Sequence, residues 1–418
     1  MQLKIYECDG YRVHTIKTDK FKNCAVEILF RNKLIKEDIT ANNVLVDVLC
    51  SNSLKYPTRR DVAIELENLY ASTFRGFISR IGNESITTFA LDFLNPKYCE
   101  EGFLDEILSF PFEMLNHPNI SNDEFDNKSF NIVKNRIKSD IESFKENATR
   151  YAFRRSLDCM DEASPSSYYM VGYMDQLDGI TPSSLVDTYH KMMNNSICDI
   201  YVVGNLDMDE VVSILKKNFK RKTISYDTEL YVSNEFKNKK DIEETGKYEQ
   251  DSFIMIYNLD KMNEIERNFD FQLFNIILGS GGLTSKLYQS LREKNSLCYT
   301  VSSMYQKYDQ LLMIYAGINK KDKKKCIKLV ENAIQEMQEG NFSTEDLENA
   351  KLTAISSIKM SLDTQGGIIS NYLFHDLDNL PLQDERIESF KKVTKEDVMK
   401  VANKLTLNTI YLLSGEEE

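Results

Sequence analysis

Two blocks of the chain, about half its length apart, share one pattern of residues. They are residues 180–204, ITPSSLVDTYHKMMNNSICDIYVVG, and residues 393–415, VTKEDVMKVANKLTLNTIYLLSG. Each starts with a threonine that can cap a helix, continues as an amphipathic helix and an Asn-containing turn, and ends in an apolar strand. A repeat at this distance predicts two copies of one α+β unit, each closing with a helix and a strand. Two unrelated helix–strand units would also match by chance, so this alternative stays open.

The start of the chain has the pattern of β-structure. Residues 2–8 and 11–17 flank Asp9-Gly10, which is typical of a hairpin turn. Residues 23–30 are a further apolar run typical of a strand. We therefore expect the chain to open with a hairpin and another strand.

Helical patterns follow in the same half. Thr58 and Asp61 are spaced as a capping box before a periodic apolar run. Ser121 and Glu124 precede a stretch without Pro or Gly that runs to about residue 157, with apolar residues three or four apart. This pattern predicts one long helix that opens at Ser121.

Residues 219–244 are rich in charged side chains and lack periodic apolar residues. Such a segment is typical of a linker. We expect it to join an N-terminal half, residues 1–218, to a C-terminal half, residues 245–418. The alternative is a solvated surface excursion within one domain.

Composition limits the classes of function. The net charge is −13, which disfavours nucleic-acid binding, because that binding depends largely on neutralising phosphates. No apolar run is long enough to span a bilayer, and the start of the chain lacks the form of a signal peptide. The eight cysteines include no CxxC pair. We expect a cytoplasmic protein with reduced cysteines and no membrane or nucleic-acid partner.

One segment carries a specific motif. Residues 279–303 read GSGGLTSKLYQSLREKNSLCYTVSS. The segment resembles the C-terminal half of the pitrilysin/insulinase family of zinc peptidases, where a Gly-rich turn precedes S-x-L-[FY]-x-x-[IL]-R-E-K and then G-L-x-Y-x-V-x-S. The matching residues are Ser285, Leu287, Tyr288, Leu291, Arg292, Glu293, Lys294, Leu297, Tyr299, Val301 and Ser303. Ser296 stands where the family usually has Gly.

The resemblance implies an α+β fold of two homologous halves, each with helices packed on an antiparallel sheet, which together form half of a clamshell peptidase. It also implies that Arg292 and Tyr299 bind the substrate backbone. A guanidinium can donate paired hydrogen bonds to a peptide, and a phenol can donate one to a developing oxyanion. The plainer alternative is that Arg292 pairs with Glu293 or another acid on a surface helix and Tyr299 packs in a sheet.

Active members of this family carry HxxEH on an early helix and a Glu on a later one, and these residues bind and use zinc. Reading back from Tyr56-Pro57-Thr58, the motif falls on Asn43, Val46 and Asp47, and the later Glu falls near Asp140. Valine cannot exchange a proton, and Asn is a weak zinc ligand. The resemblance therefore implies a degenerate metal site, with no metal or other cofactor bound by this chain.

No other catalytic centre is evident in the sequence. The histidines have no metal-ligand spacing, and we expect each to lie at the surface or cap a helix: His14, His117, His190 and His375. No GxSxG or P-loop motif occurs. A phosphate-binding turn at Gly279–Gly282 is an alternative with little support, because no Lys/Ser pair follows at the right spacing.

These observations lead to three hypotheses. The first is a non-catalytic, substrate-binding subunit of a two-subunit zinc peptidase that cleaves or matures peptides, similar to the alpha subunit of the mitochondrial processing peptidase but of bacterial origin. Its partner would be a homologous HxxEH-bearing subunit that holds the zinc, with a homodimer in isolation left open. The second is a pure scaffold with no role in proteolysis, similar to the core subunits of the respiratory cytochrome bc1 complex. The third is an active peptidase with an unfamiliar centre.

Overall fold

A computed structural model describes residues 2–234, 238–248 and 250–415. The chain divides into two compact units. The first contains the residues up to Ser143 together with Tyr169–Glu229, and the second contains Phe144–Tyr168 together with the residues from Leu230 onward. This division differs from the expected ranges 1–218, 219–244 and 245–418, because a segment of the N-terminal half belongs to the second unit.

The strands of the N-terminal half are β1 (Gln2–Glu7), β2 (Arg12–Lys17), β3 (Asn23–Lys33), β4 (Thr73–Ile81), β5 (Glu84–Leu94), β6 (Ile120–Ser121), β7 (Glu124–Phe125) and β8 (Ile197–Gly204). Its helices are α1 (Ile39–Leu49), α2 (Arg59–Asn68), α3 (Phe103–Asn116), α4 (Asn127–Ser143), α5 (Ala148–Asp161), α6 (Met174–Gly179), α7 (Pro182–Asn195) and α8 (Met208–Asn218). Short 3₁₀ turns cover Lys36–Asp38, Pro96–Tyr98, Phe144–Glu146 and Pro165–Ser167.

The strands of the C-terminal half are β9 (Lys240–Gly246), β10 (Ser252–Leu259), β11 (Val301–Gln306), β12 (Leu311–Ala316) and β13 (Leu405–Gly415). Its α-helices are α9 (Phe271–Asn275), α10 (Lys323–Gln338), α11 (Thr344–Ser361), α12 (Gln365–Asp378), α13 (Gln383–Lys392) and α14 (Lys395–Ala402). π-helical turns cover Glu266–Asp270, Ile276–Ser280 and Tyr288–Glu293, and 3₁₀ turns cover Gly282–Thr284 and Lys320–Asp322.

The first sheet has the strand order β1-β2-β8-β3-β5-β4. The predicted opening hairpin is confirmed, with β1 and β2 paired around Gly10, whose φ is +86°. The predicted strand at 23–30 is confirmed within β3. Alternate side chains of β3 lie in the hydrophobic core that α1, α3 and α7 cover, which explains the apolar run: Cys24, Val26, Ile28 and Phe30.

The second sheet has the strand order β11-β12-β10-β13-β9. Taken in reverse, it matches the order β2-β8-β3-β5-β4 of the first sheet strand for strand. The directions match too, because β2 is parallel to β8 and β9 is parallel to β13, while the other pairs are antiparallel. The predicted α+β fold of two homologous halves is confirmed, and each sheet is mixed where a purely antiparallel one was expected.

The repeated blocks occupy equivalent places in the two sheets. Each forms a capped helix followed by a central strand, α7–β8 in one and α14–β13 in the other. Thr181 forms a capping box with Ser184, and Thr394 forms one with Asp397. The expected capping box of Thr58 and Asp61 at the start of α2 is also present. The repeat therefore reflects the duplication of one structural unit.

The expected long helix from Ser121 to about residue 157 is wrong in two respects. Residues 120–125 form the hairpin β6–β7, and Asn122 and Asp123 both have positive φ at its turn. Such a conformation is one that Asn and Asp tolerate better than most residues. The helical stretch then begins at Asn127 and is divided at Phe144–Glu146 into α4 and α5.

Helix α5 packs against the second sheet, although the chain returns to the first unit after it. Ala152 and Met160 are buried in a cluster with side chains of β10, β12 and β13. Arg155 forms an ion pair of 2.9 Å with Glu244, which also accepts a hydrogen bond of 2.8 Å from the Tyr411 hydroxyl. The expected linker also ends inside this unit, since residues 240–244 form most of β9.

In the part of the chain that the structure describes, no helix combines the length and apolar composition needed to cross a membrane.

Candidate functional site

The motif of residues 279–303 folds as a glycine turn, a helical turn and the edge strand β11. A Cβ atom on Gly279 would lie 2.6 Å from Ser303 Oγ and 2.8 Å from Leu287 Cδ1, so only glycine allows this close approach. Gly282 has φ +74°, again favouring glycine. The glycines are thus explained by packing and backbone conformation, without a phosphate ligand.

Arg292 lies near the end of the π-helical turn Tyr288–Glu293 and is held by its own segment. Its Nη1 donates a hydrogen bond of 3.0 Å to the backbone carbonyl of Tyr299. Its guanidinium carbon lies 5.0 Å from the centroid of the Tyr288 ring, a cation–π distance. The ion pair with Glu293 that sequence reasoning left as an alternative does not form. Arg292 therefore keeps further N–H donors that make no hydrogen bond to the described residues.

Tyr299 is 82% exposed, the largest value among the exposed large apolar side chains. The alternative in which it packs in a sheet is therefore wrong, since it precedes β11 and its ring faces solvent. A single exposed aromatic side chain is common on a protein surface, so the exposure shows only that the ring and hydroxyl of Tyr299 are accessible.

Both residues line a cavity of about 980 Å³ in the second unit. The other lining residues are Gln250, Asp251, Glu293, Ser296, Leu297, Cys298, Gly317, Ile318 and Asn319. The Asp251 carboxylate is fixed by backbone N–H groups of Lys320 at 2.7 Å and Gly415 at 2.9 Å. Glu293, Ser296, Leu297 and Cys298 belong to the motif segment. The sequence did not single out the others, because only the fold brings residues 250–251 and 317–319 to that segment.

Cys298 is the one thiol in the cavity lining. Burial raises the pKa of this thiol, and the nearby Arg292 cation acts in the opposite direction. A thiol with a raised pKa is protonated at neutral pH and is a poor nucleophile. Cys298 therefore lacks the lowered pKa that is typical of a catalytic cysteine.

Asn43 and Val46 lie on α1 and are fully engaged within the first unit. Asn43 Nδ2 donates hydrogen bonds to the carbonyls of Ile39 at 2.9 Å and Met170 at 2.8 Å. Val46 is 2% exposed, and a Cβ on Gly76 would lie only 2.3 Å from its Cγ1. Strand β4 thus passes closely over Val46, and this position belongs to the core.

Asp47 forms an ion pair with Arg136 of α4. The Asp47 side chain is 21% exposed and that of Arg136 is 47% exposed. Asp140 lies one helical turn beyond Arg136 and is exposed. The sequence did not indicate Arg136, because only the packing of α1 against α4 brings it to Asp47.

The residues at the expected metal position do not fit a zinc ion. One is apolar, one amide is committed to two carbonyls, and the carboxylate is already paired with a guanidinium. Among the described residues, no group of three His, Cys, Asp or Glu side chains is placed to hold a metal.

The histidines lie apart from both sites. His14 is 1% exposed, with Nε2 3.1 Å from Asp199 and its ring stacked on Tyr201, so the expected surface or capping role is wrong for it. His117 Nδ1 lies 2.9 Å from Glu113 one turn earlier on α3. His190 lies on α7 and is exposed, and His375 lies in the last turn of α12.

Comparison with known proteins supports the resemblance. Residues 179–353 match the family model described as "Peptidase M16 inactive domain". The chain is 27% identical over 415 residues to the "Probable inactive metalloprotease YmfF" of Bacillus subtilis, covering 98% of this chain and 96% of that protein. Residues 179–353 are thus similar to the M16 peptidase family, and almost the whole chain is similar to a protein described as a probable inactive metalloprotease.

The fold agrees with solved M16-like structures. A conserved protein from Enterococcus faecalis superposes with a TM-score of 0.92 at 24% identity, covering 100% of this chain and 99% of that one. A peptidase M16 inactive domain from Pseudomonas fluorescens superposes with a TM-score of 0.81 at 18% identity, covering 100% and 98% of the two chains. The resemblance inferred from residues 279–303 is confirmed by the match of residues 179–353 to the M16 family model.

Proposed function

We propose that this M16 homologue is the non-catalytic, substrate-binding subunit of a two-subunit zinc peptidase, and that it works in the cytoplasm. The observation that carries the proposal is the cavity in which the Arg292 guanidinium and the exposed Tyr299 side chain lie together. The eight cysteines are all unpaired, which fits a reducing compartment.

The geometry of the cavity suits an extended peptide. The bond to the Tyr299 carbonyl and the contact with the Tyr288 ring orient the guanidinium while leaving other donors free. A preorganised donor loses less entropy on binding than a mobile one. The Tyr299 hydroxyl makes no hydrogen bond to the described residues, so it can donate to a substrate carbonyl or to the oxyanion that forms from it.

Hydrolysis would then need a metal centre from another chain. Val46 cannot act as a general base, and Asp47 is neutralised by Arg136. A homologous subunit with an intact HxxEH motif would supply the zinc, its activated water and the proton transfer. The division of roles is therefore substrate binding by this chain and chemistry by the partner.

One observation favours the scaffold as a second candidate. The contacts of Arg292 with Tyr299 and Tyr288 are all within its own segment, so the side chain could serve only to hold the end of its helix. In that case substitution would lower stability and leave peptide hydrolysis unchanged. The two candidates therefore differ in what Arg292 does for kinetics.

The test is steady-state kinetics of the complex reconstituted with the HxxEH homologue of the same genome. A hydrogen bond from a charged donor is worth roughly 1.5–3 kcal/mol, so Arg292→Ala should lower kcat/KM by about 10- to 150-fold. Tyr299→Phe should act mainly on kcat if its hydroxyl serves the oxyanion. The matched control is Lys294→Ala, which removes a nearby cation that does not line the cavity.

Size-exclusion chromatography of each reconstituted complex shows whether assembly is intact. Normal assembly with reduced kcat/KM for Arg292→Ala, and no change for Lys294→Ala, supports substrate binding. Unchanged kinetics for both Arg292→Ala and Tyr299→Phe would instead favour the scaffold.

A further inference from the structure

Helices α1 and α4 pack side by side, and one ion pair joins them. Asp47 lies four residues after Asn43 on α1, and Arg136 lies four residues before Asp140 on α4. Since residues four apart share a helix face, all four side chains belong to the faces along this contact. The positions that the resemblance assigns to the metal ligands thus lie on the two helices that the Arg136–Asp47 ion pair joins.

We propose that the Arg136 guanidinium takes the place of a metal ion as the cross-link between α1 and α4, and that its charge keeps a divalent cation out of this position. The proposal does not depend on the function proposed for the Arg292 cavity. It concerns what keeps a metal ion away from this position and what stabilises the pair of helices.

The charge balance of the site supports this role. A bound zinc ion would place two positive charges beside Asp47, the site where Arg136 already supplies one. Two cations a few ångström apart repel each other strongly at a site that is only partly exposed to solvent, because the effective dielectric constant there is lower than in water. The lack of ligand side chains and the charge of Arg136 therefore each prevent zinc binding. Restoring the ligands removes only the first of these two obstacles to zinc.

The test is to restore the ligands with and without Arg136. The first variant carries Asn43→His, Asp47→His and Asp140→Glu, and it keeps Val46, which is not a ligand position and lies in the core. The second adds Arg136→Gln. The third adds Lys138→Gln in its place, which removes an exposed cation from the same helix and so matches the change in net charge.

Zinc content after dialysis and the rise in melting temperature on adding zinc are the two measurements. We expect stoichiometric zinc only in the variant with Arg136→Gln, with affinity about 100-fold higher than in the other two, from charge repulsion of this order. Equal zinc binding with Arg136 retained would overturn the proposal. A folded Arg136→Gln variant that binds no zinc would overturn it as well.

The cross-link is tested separately in the native sequence, which avoids any variant that fails to fold. Asp47→Ala and Arg136→Ala should each lower the melting temperature by about 1–4 °C, the size expected for a partly exposed ion pair. The double variant should show no greater loss than the larger single one, because either change breaks the same contact. Strictly additive losses would show that the two side chains do not stabilise the fold together, and would refute the cross-link.

Discussion

At the scale of single residues, Ser296 shows how the motif departs from its family without losing its fold. Ser296 has φ +49°, a left-handed conformation that side chains with a Cβ disfavour. Its N–H donates to the Arg292 carbonyl at 2.9 Å, and the N–H of Leu297 donates to the Leu291 carbonyl at 2.9 Å. These bonds end the helix and turn the chain toward Tyr299, so the conformation is required whichever residue is present.

Ser296→Gly should therefore stabilise the protein by about 0.5–1 kcal/mol. The substitution relieves the strain of the left-handed conformation in the folded state, and this gain exceeds the loss that comes from the greater entropy of glycine in the unfolded chain. The free energy of unfolding from urea titration is the measurement. The control is Ser290→Gly, the same exchange within the helical turn, which should destabilise by about 1 kcal/mol. A loss of stability in both variants would contradict the account of Ser296.

Asp270 makes the stability of the second unit depend on pH. Its side chain is 4% exposed, and burial, followed by the charges of Asp397 and Glu266, raises its pKa to about 7. Between its ordinary pKa near 3.8 and about 7, the folded state binds more protons than the unfolded state. Its contribution to stability is therefore full below the lower value and is lost as the pH rises through the upper one.

Asp270→Asn should raise the free energy of unfolding by about 1–2 kcal/mol more at pH 8 than at pH 5, after allowance for screening by solvent. The neighbouring Glu266 has a pKa lowered to about 2, so the pH range of the experiment does not titrate it. Asp260→Asn, at an exposed loop position, is the control and should show no pH-dependent difference. An equal effect of Asp270→Asn at both pH values would contradict a raised pKa.

At the scale of elements, patterns within the sequence predicted most of what depends on neighbours in the chain. The opening hairpin, the capping boxes and the repeated helix–strand blocks all follow from local residues. The hairpin β6–β7 was missed because it is only a few residues long, and Ser121 with Glu124 also fits a helix start. The position of α5 on the second sheet was not predictable. The apolar face of a helix shows that the helix packs against a core, but it does not show which of two sheets forms that core.

The packing of α5 predicts that the C-terminal half does not fold alone. A fragment of residues 230–418 would expose the apolar side chains that α5 covers, among them Ile254, Ile256, Met313 and Tyr411. At roughly 25 cal/mol per Å² of apolar surface, leaving them in water costs several kcal/mol. We expect this fragment to aggregate alone and to become soluble and folded when co-expressed with residues 144–168.

Circular dichroism and size-exclusion chromatography of the co-expressed pair are the measurements. The control is the same segment carrying Ala152→Asp, which places a charge against the sheet at a position with 0% exposure and should not rescue the fragment. If the fragment folds without residues 144–168, the interpretation of α5 as an integral part of the second unit is wrong.

At the scale of the whole molecule, two units with the same sheet topology differ in the side chains at their candidate sites. At the positions that the resemblance assigns to the metal motif, the first unit has a core valine and an ion pair, and the second unit has a cavity with Arg292 and an exposed Tyr299. The sequence motif was sufficient to select Arg292 and Tyr299, because the motif is contiguous. Arg136, Gln250 and Asp251 could not be selected, because their roles arise only from the packing of distant segments.

The most direct test of the central proposal is a titration. The peptidase activity of the HxxEH homologue is measured at fixed concentration while this chain is added in increasing amounts. The account predicts little activity for the homologue alone, none for this chain alone, and a rise that saturates at a one-to-one ratio. Full activity of the homologue alone, or chelator-sensitive hydrolysis by this chain alone, would contradict it.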